Sequence, residues 1–335
     1  MTSARWFTSR PGDTVTRTVD HELFQRRVLF VVGKGGVGKS TVAALLAVAL
    51  AERGKRVLLA QMGPGRRLQE VLGVEGGSET PAEVFPGLCF LTIDGESALT
   101  EYLGLVLPVK RVHRLVVGSK LYRHFVAAAP GLKELMTVGK IWYEEQLATA
   151  RGPRWDAIVV DAPATGHSLQ YLRMPSAAYE AFGPGLVRRE AKRVVDLLQD
   201  PKRTAICPVT TAEEMPVNET IETHRQLRDA LQMPLGVLFV NRVHQAPLTV
   251  DAIPTSRSKA PLVRDVLRCA REEAGWAAIN ARYRERLREA VPMPTVELPF
   301  LFAEEFGLAE VRTLVGHAET QLARMAAPAA RRARR

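Results

Sequence analysis

At 335 residues with 46% hydrophobic content, the chain is long enough to bury a substantial core in one large or two small domains. Its three cysteines, Cys89, Cys207 and Cys269, stand far apart with no CxxC pair, which leaves a disulfide framework and a thiolate metal site without support. Of the net charge of +10, four units sit in the final RRARR, so the body carries +6. That balance is ordinary for a large domain that handles a polyanion and is no signature of a nucleic-acid binder.

The opening stretch, MTSARWFTSRPGDTVTRTVDHELFQ, has no continuous apolar run of the kind a secretory signal needs and reads as a flexible extension over residues 1–25. The longest apolar tracts, such as residues 42–51, fall short of the roughly 18 residues that span a bilayer, so a cytoplasmic protein is expected. Residues 27–32 form a β-branched run ending in glycine, and residues 41–53 read as an alanine- and leucine-rich helix stopped by Gly54. Residues 55–60 supply the next strand, completing a βαβ unit with a right-handed crossover. Further strands are expected at 88–93, 155–161, 204–209, 236–241 and 295–298, with helical patterns between them, among them residues 177–199, which open with aromatics. Between strands 88–93 and 155–161 the apolar positions recur at helical spacing, which marks residues 97–150 as a helical insertion. The alternation predicts an α/β fold with a doubly wound, mostly parallel sheet of seven or eight strands, in one domain over residues 26–325 followed by a basic Ala/Arg tail at 326–335.

Residues 33–40, GKGGVGKS, satisfy the phosphate-loop pattern G-x-x-x-x-G-K-[ST] after a predicted strand and before a predicted helix. Gly33, Gly35, Gly36 and Gly38 let the backbone amides of the loop, with those of Val37 and Thr41, turn inward toward phosphates. Lys39 is placed to reach the β- and γ-phosphates, Ser40 to ligate Mg²⁺, and the helix beginning beside them to present its positive dipole end. A second lysine, Lys34, directly follows the first glycine. This loop resembles the deviant Walker A group of nucleotide-dependent dimerising ATPases. The resemblance implies that Lys34 reaches across a dimer interface to the partner's bound phosphates, supplying charge in trans as an arginine finger does. The plain alternative is a solvated surface lysine.

Residues 156–169, DAIVVDAPATGHSL, describe a buried strand ending in Asp161, where a carboxylate beside a phosphate loop is positioned to orient Mg²⁺ and its waters. Here the chain resembles the arsenite-pump and tail-anchored-protein targeting ATPases, whose second switch reads D-T-A-P-T-G-H-T-L. Asp161, Thr165, Gly166, His167 and Leu169 match that pattern, while alanine and proline change order. The same resemblance implies that Asn241 recognises adenine with Arg242 beside it, and that Pro299 and Phe300 belong to a loop packing on the base. ATP and Mg²⁺ are the implied cofactors, Lys34, Lys39 and Asp161 the implied catalytic residues.

The first switch departs from the family. Where the family reads L-L-x-x-x-D-P-A, residues 58–65 read LLAQMGPG, so Gly63 stands in place of the aspartate that activates the attacking water. Glycine has no side chain to hold a water, and binding without fast hydrolysis is expected. Either another carboxylate moves in, Glu70 being nearest in sequence, or the dimer is mixed and a fully equipped relative hydrolyses ATP while this subunit lends Lys34.

The targeting branch implies a hydrophobic client groove in the insertion, for which Leu103, Leu107, Leu135, Met136 and Trp142 are candidates; the same residues at helical spacing equally describe an ordinary core. Arsenite handling lacks a thiolate cluster, and the targeting branch's CxxC zinc pair is absent. The competing class is a partitioning or positioning ATPase that binds DNA or a membrane surface through Lys110, Arg111, Arg114, Lys120 and Arg123, a cluster that is otherwise a solvated helix face.

Overall fold

Val28–Gly33 forms strand β1, and the stretch that follows the glycine loop, apolar from Val42 onward, forms helix α1, Lys39–Ala51. Eleven of the 13 residues of α1 are buried, because this helix is apolar on every side and is covered on every side. The computed structural model describes residues 21–74, 79–106, 131–150, 152–255 and 260–332. Along them follow β2 (Val57–Met62), α2 (Arg67–Leu72), β3 (Ala82–Phe85), β4 (Leu88–Ile93), α3 (Gly95–Val106) and α4 (Leu132–Gln146). A two-residue hairpin of β5 (Ala148–Thr149) and β6 (Gly152–Pro153) leads to β7 (Ala157–Asp161), α5 (Thr165–Ala181) and α6 (Leu186–Gln199). The chain ends with β8 (Thr204–Thr211), α7 (Glu214–Arg225), β9 (Leu238–Val243), α8 (Pro261–Ala290), β10 (Thr295–Pro299) and α9 (Leu308–Arg332).

Eight strands make one sheet in the order β10-β9-β8-β1-β7-β2-β4-β3. All pairs are parallel except β3 with β4. This is the α/β doubly wound architecture of a P-loop NTPase. The antiparallel edge strand β3 is an addition to the sequence reading, since four residues without clean alternation give little periodic signal.

Alternate residues of the central strands feed two cores. Leu29 and Val31 of β1 join α1, α2 and α9 on one face, while Val28, Phe30 and Val32 join α4, α5 and α6 on the other. Both faces being covered explains why β1, β2, β7 and β8 are buried along their whole length rather than at alternate positions.

The structure corrects several expectations. The helical pattern over 177–199 is two helices, α5 and α6, separated at Gly183, Pro184 and Gly185; proline after glycine cannot continue a helix, and glycine gains nothing from doing so. The flexible extension does not reach residue 25, because Leu23 and Phe24 in a 3-10 turn at Glu22–Gln25 are buried in the first core and Lys55 bonds the Phe24 carbonyl. In the insertion, Leu135 is buried with Ala178 and Ala191, while Met136 and Trp142 are half-buried against the second core. Leu103 is half-buried on α3; Leu107 and the basic cluster Lys110, Arg111, Arg114, Lys120 and Arg123 lie outside the described residues.

The end of α4 is fastened far from the glycine loop. Its buried Glu145 takes Arg27, just before β1, at 2.8 Å and Arg203, just before β8, at 2.5 Å, while Glu144 accepts from the Trp155 indole at 2.9 Å. A carboxylate this buried is tolerable because both flanking guanidinium groups offset its desolvation.

Candidate functional site

The predicted phosphate-loop residues gather at the carboxyl ends of β1, β7 and β8, where the strand order reverses around β1. Gly38 caps α1 with a left-handed φ of 93°, and a Cβ on it would lie 2.1 Å from the Asn241 amide nitrogen. Both features demand glycine. Asn241, buried at the end of β9, donates from Nδ2 to the Val37 carbonyl at 3.0 Å and so braces the loop from the neighbouring strand. One of its two amide hydrogens is thus committed to the loop, which leaves the second hydrogen and Oδ1 for another partner.

Lys39 donates to the Lys34 carbonyl at 3.0 Å, folding its ammonium over the loop. Burial lowers its pKa, with the Asp161 charge opposing that effect. Ser40 donates to Asp161 Oδ2 at 2.7 Å, joining the start of α1 to the end of β7. Asp161 is 7% exposed, and burial pushes its carboxyl up to about 6 against the restraining effects of Ser40 and Lys39. Its other oxygen, Oδ1, is buried without a partner. A carboxylate left half-satisfied beside a serine hydroxyl and a lysine is a group that a cation or its waters would complete, so Ser40 and Asp161 fit a Mg²⁺ site.

A model of the anion-transporting ATPase family matches residues 26–184. ATPase BagA of Mycobacterium tuberculosis is 34% identical over 275 residues, covering 80% of this chain and 80% of its own. The chain belongs to the anion-transporting ATPase family. An arsenical pump-driving ATPase of Escherichia coli is 31% identical over 238 residues, 64% of this chain and 39% of the relative. ATPase GET3 of Mycosarcoma maydis is 30% identical over 173 residues, 51% of this chain and 49% of the relative. This chain therefore spans about half or less of the length of those two ATPases.

The ATPase holds Lys34 within its own fold. The ammonium lies 2.6 Å from Glu219 on α7, with the two side chains 26% and 41% exposed. No sequence signal separated Glu219 from the other acids of that helix. Arg242 is exposed at a φ of 54°, Pro299 ends β10, and the Phe300 ring stacks on His244 at 4.7 Å and meets Phe302 edge-on at 4.9 Å. His244 in turn stacks on Trp276 at 5.9 Å, so the loops after β9 and β10 present aromatic and imidazole faces together. Thr165 and Gly166 open α5, directly after Ala164, which lies 3.8 Å from a Cβ built on Gly35; the second switch and the phosphate loop are neighbours.

Gly63 adopts a left-handed φ of 78° with open space around it. That backbone conformation suits glycine, and the position offers no side chain to a water or a cation. Glu70 points to Arg67 at 3.6 Å on the exposed side of α2. Among the described residues no group of three His, Cys, Asp or Glu side chains is arranged to hold a metal, and Cys207 is buried in the core. No helix among them is long and apolar enough to cross a membrane.

Proposed function

We propose that this ATPase binds ATP with Mg²⁺ in the cradle of residues 33–41 and works as a cytoplasmic nucleotide-driven dimer, with itself or with a related ATPase, coupled to a protein client or partner. The observation that carries the reading is the Ser40–Asp161 pair at the mouth of the cradle, with Asp161 Oδ1 buried and unpartnered beside it. In this reading the loop amides and Lys39 bind the phosphates, and Ser40 and Asp161 hold Mg²⁺ and its waters. Bound there, the cation neutralises the β- and γ-phosphate charge. Lys39 exchanges its bond to the Lys34 carbonyl for a phosphate oxygen, and its partial desolvation sharpens that attraction. Asp161 stays ionised once a cation shares its pocket. The aromatic faces of Phe300 and His244 supply a flat surface suited to a purine.

Lys34 serves the partner subunit's nucleotide after leaving Glu219, a pair weak enough at its exposure to exchange. Hydrolysis is slow because Gly63 offers no side chain to the attacking water. Support for a client surface comes from Phe182, Leu186 and Val187, which are exposed at the break between α5 and α6, the helices that pack with α4.

Two measurements test this. Purified protein is expected to show Mg²⁺-dependent nucleotide binding that is lost in Lys39→Ala, with turnover well below one per second. Its native mass, recorded with ATP and Mg²⁺, is expected to double or to include a related subunit. A brisk ATPase that Lys39→Ala abolishes would defeat slow hydrolysis, and a mass unchanged by nucleotide would defeat the dimer.

A further inference from the structure

Three neighbouring strands end in a row of polar side chains on the face of the sheet that carries α1. The register pairs Thr92 of β4 with Gln61 of β2, and Gln61 with Asp161 of β7. In a parallel ladder such partners stand about 4.8 Å apart and point to the same face. The face is set by alternation: Phe90, Leu59 and Val159, two residues earlier on each strand, all belong to the core around α1. Each of the three polar residues carries a buried oxygen with no partner, namely Thr92 Oγ1, Gln61 Oε1 and Asp161 Oδ1. Gln61 is 5% exposed.

Burying a carboxamide oxygen unpaired costs about 1–3 kcal/mol, so a side chain held this way needs an explanation beyond packing. Its orientation is fixed. Nε2 donates to the Gly63 carbonyl at 3.1 Å and to the Gly65 carbonyl at 2.9 Å, which carries the amide up from the strand to the level of the first-switch loop. The loop in turn closes tightly on it, since a Cβ on Gly65 would lie 2.7 Å from Nε2. With both amide hydrogens used on the loop, the only unused capacity of Gln61 is that of an acceptor. It stands beside Asp161, whose Oδ2 receives the Ser40 hydroxyl of the phosphate loop.

We infer that Gln61 is the residue that orients the attacking water in this chain, with Oε1 accepting a hydrogen bond from it. The inference rests on the ATP-binding reading of the neighbouring cradle. An amide is too weak a base to take the proton, so its contribution is alignment alone. As the water oxygen bonds to the γ-phosphorus, the bond from that phosphorus to the β–γ bridging oxygen breaks, and its electron pair leaves with ADP. The water's lost proton goes to phosphate and solvent, and Gln61 gains and loses none. Glutamine orients the attacking water in GTPases by the same chemistry. Here the lysine, serine and aspartate bind the nucleotide while Gln61 accounts for whatever turnover remains without a carboxylate at position 63.

The test compares wild type with Gln61→Met, which keeps length and removes the acceptor, and with Gln61→Glu, which keeps an acceptor and removes the donor. Affinity for a fluorescent ADP is measured alone and with aluminium fluoride, whose complex with ADP forms tightly only around an oriented water, and single-turnover hydrolysis and melting are recorded in parallel. Wild type is expected to bind ADP more tightly with aluminium fluoride. In Gln61→Met that enhancement should disappear, with ADP affinity held within about twofold and hydrolysis lowered by ~10- to 100-fold. Gln61→Glu should retain more hydrolysis than Gln61→Met. Undiminished enhancement in Gln61→Met, or no enhancement in wild type that does bind ADP, overturns the inference. Should Gln61→Glu prove as inactive as Gln61→Met while both fold, Gln61 only clamps the loop and the inference also falls. Wild type that binds no ADP overturns the reading of the cradle itself.

Discussion

Asp161→Asn separates the cost of the buried carboxylate from its use. Burial raises this carboxyl from 3.8 to about 6, a shift of roughly two pH units worth about 1.4 kcal/mol each, or ~3 kcal/mol. The folded pKa lies above the unfolded one, so the folded chain binds more protons than the unfolded chain between those values. Stability from this group is therefore full below about pH 4 and is lost as pH rises through about 6. At pH 7.5 without cation or nucleotide, the native protein carries the whole penalty. Asparagine has nearly the same shape and still accepts the Ser40 hydrogen bond, but it does not titrate. In EDTA, urea unfolding should find Asp161→Asn more stable than wild type by ~3 kcal/mol at pH 8 and by about half that at pH 5. Other titrating groups cancel in the difference between the two proteins. Mg²⁺ added with ATP should then stabilise wild type beyond ATP alone and give the variant no such increment. A variant less stable than wild type at pH 8, or a difference that does not change between pH 5 and pH 8, would refute the account of Asp161 as a strained carboxylate awaiting a cation.

Glu219→Gln should release Lys34 at little cost, since an ion pair with side chains 26% and 41% exposed is worth about 0.5–1 kcal/mol. With one pair per protomer, a dimer breaks two, about 1–2 kcal/mol together, so nucleotide-dependent self-association should tighten by up to ~30-fold, read by sedimentation over a concentration series. Weaker association would contradict a role for Lys34 between subunits. Gly38→Ala forces a side chain into a left-handed backbone and against Asn241, whereas Gly36→Ala, at a φ of 85° with nothing near, meets only the backbone cost. Denaturation should show about 1–2 kcal/mol lost in Gly36→Ala and ~1 kcal/mol or more beyond that in Gly38→Ala, with equal losses excluding the brace from β9. In a thiol titration of the native protein at pH 8, exposed Cys269 should react first and half-buried Cys89 more slowly. Cys207, fully buried with its thiol pushed up to about 12, should react only after unfolding.

Much of the site was legible because its chemistry is local. The phosphate loop needs glycines, a lysine and a serine at fixed spacing on a strand-to-helix turn, and Ser40 and Lys39 stand where that pattern puts them. Asp161 was recognisable because a carboxylate ending a long apolar strand is conspicuous. Gln61 was not, since one glutamine at the end of an apolar strand looks like the edge of a core. Its meaning depends on Asp161 and Thr92, 100 and 31 positions away in sequence yet one strand away on either side. Glu219 was hidden for the same reason, as only the approach of α7 to the glycine loop brings it to Lys34.

Read alone, the amino-acid order determined the α/β class, the parallel sheet, the glycine loop between its first strand and helix, and the lack of a side chain at position 63. These follow from hydrophobic period and from short motifs whose backbone demands are met within a dozen residues. Tertiary structure alone decided which strands are neighbours, that Leu135 is core while Met136 and Trp142 are half-buried against it, that Lys34 rests on Glu219, and that three unpartnered oxygens share one face. Those outcomes depend on contacts between residues far apart in the chain, and such contacts leave no periodic trace for a local pattern to reveal.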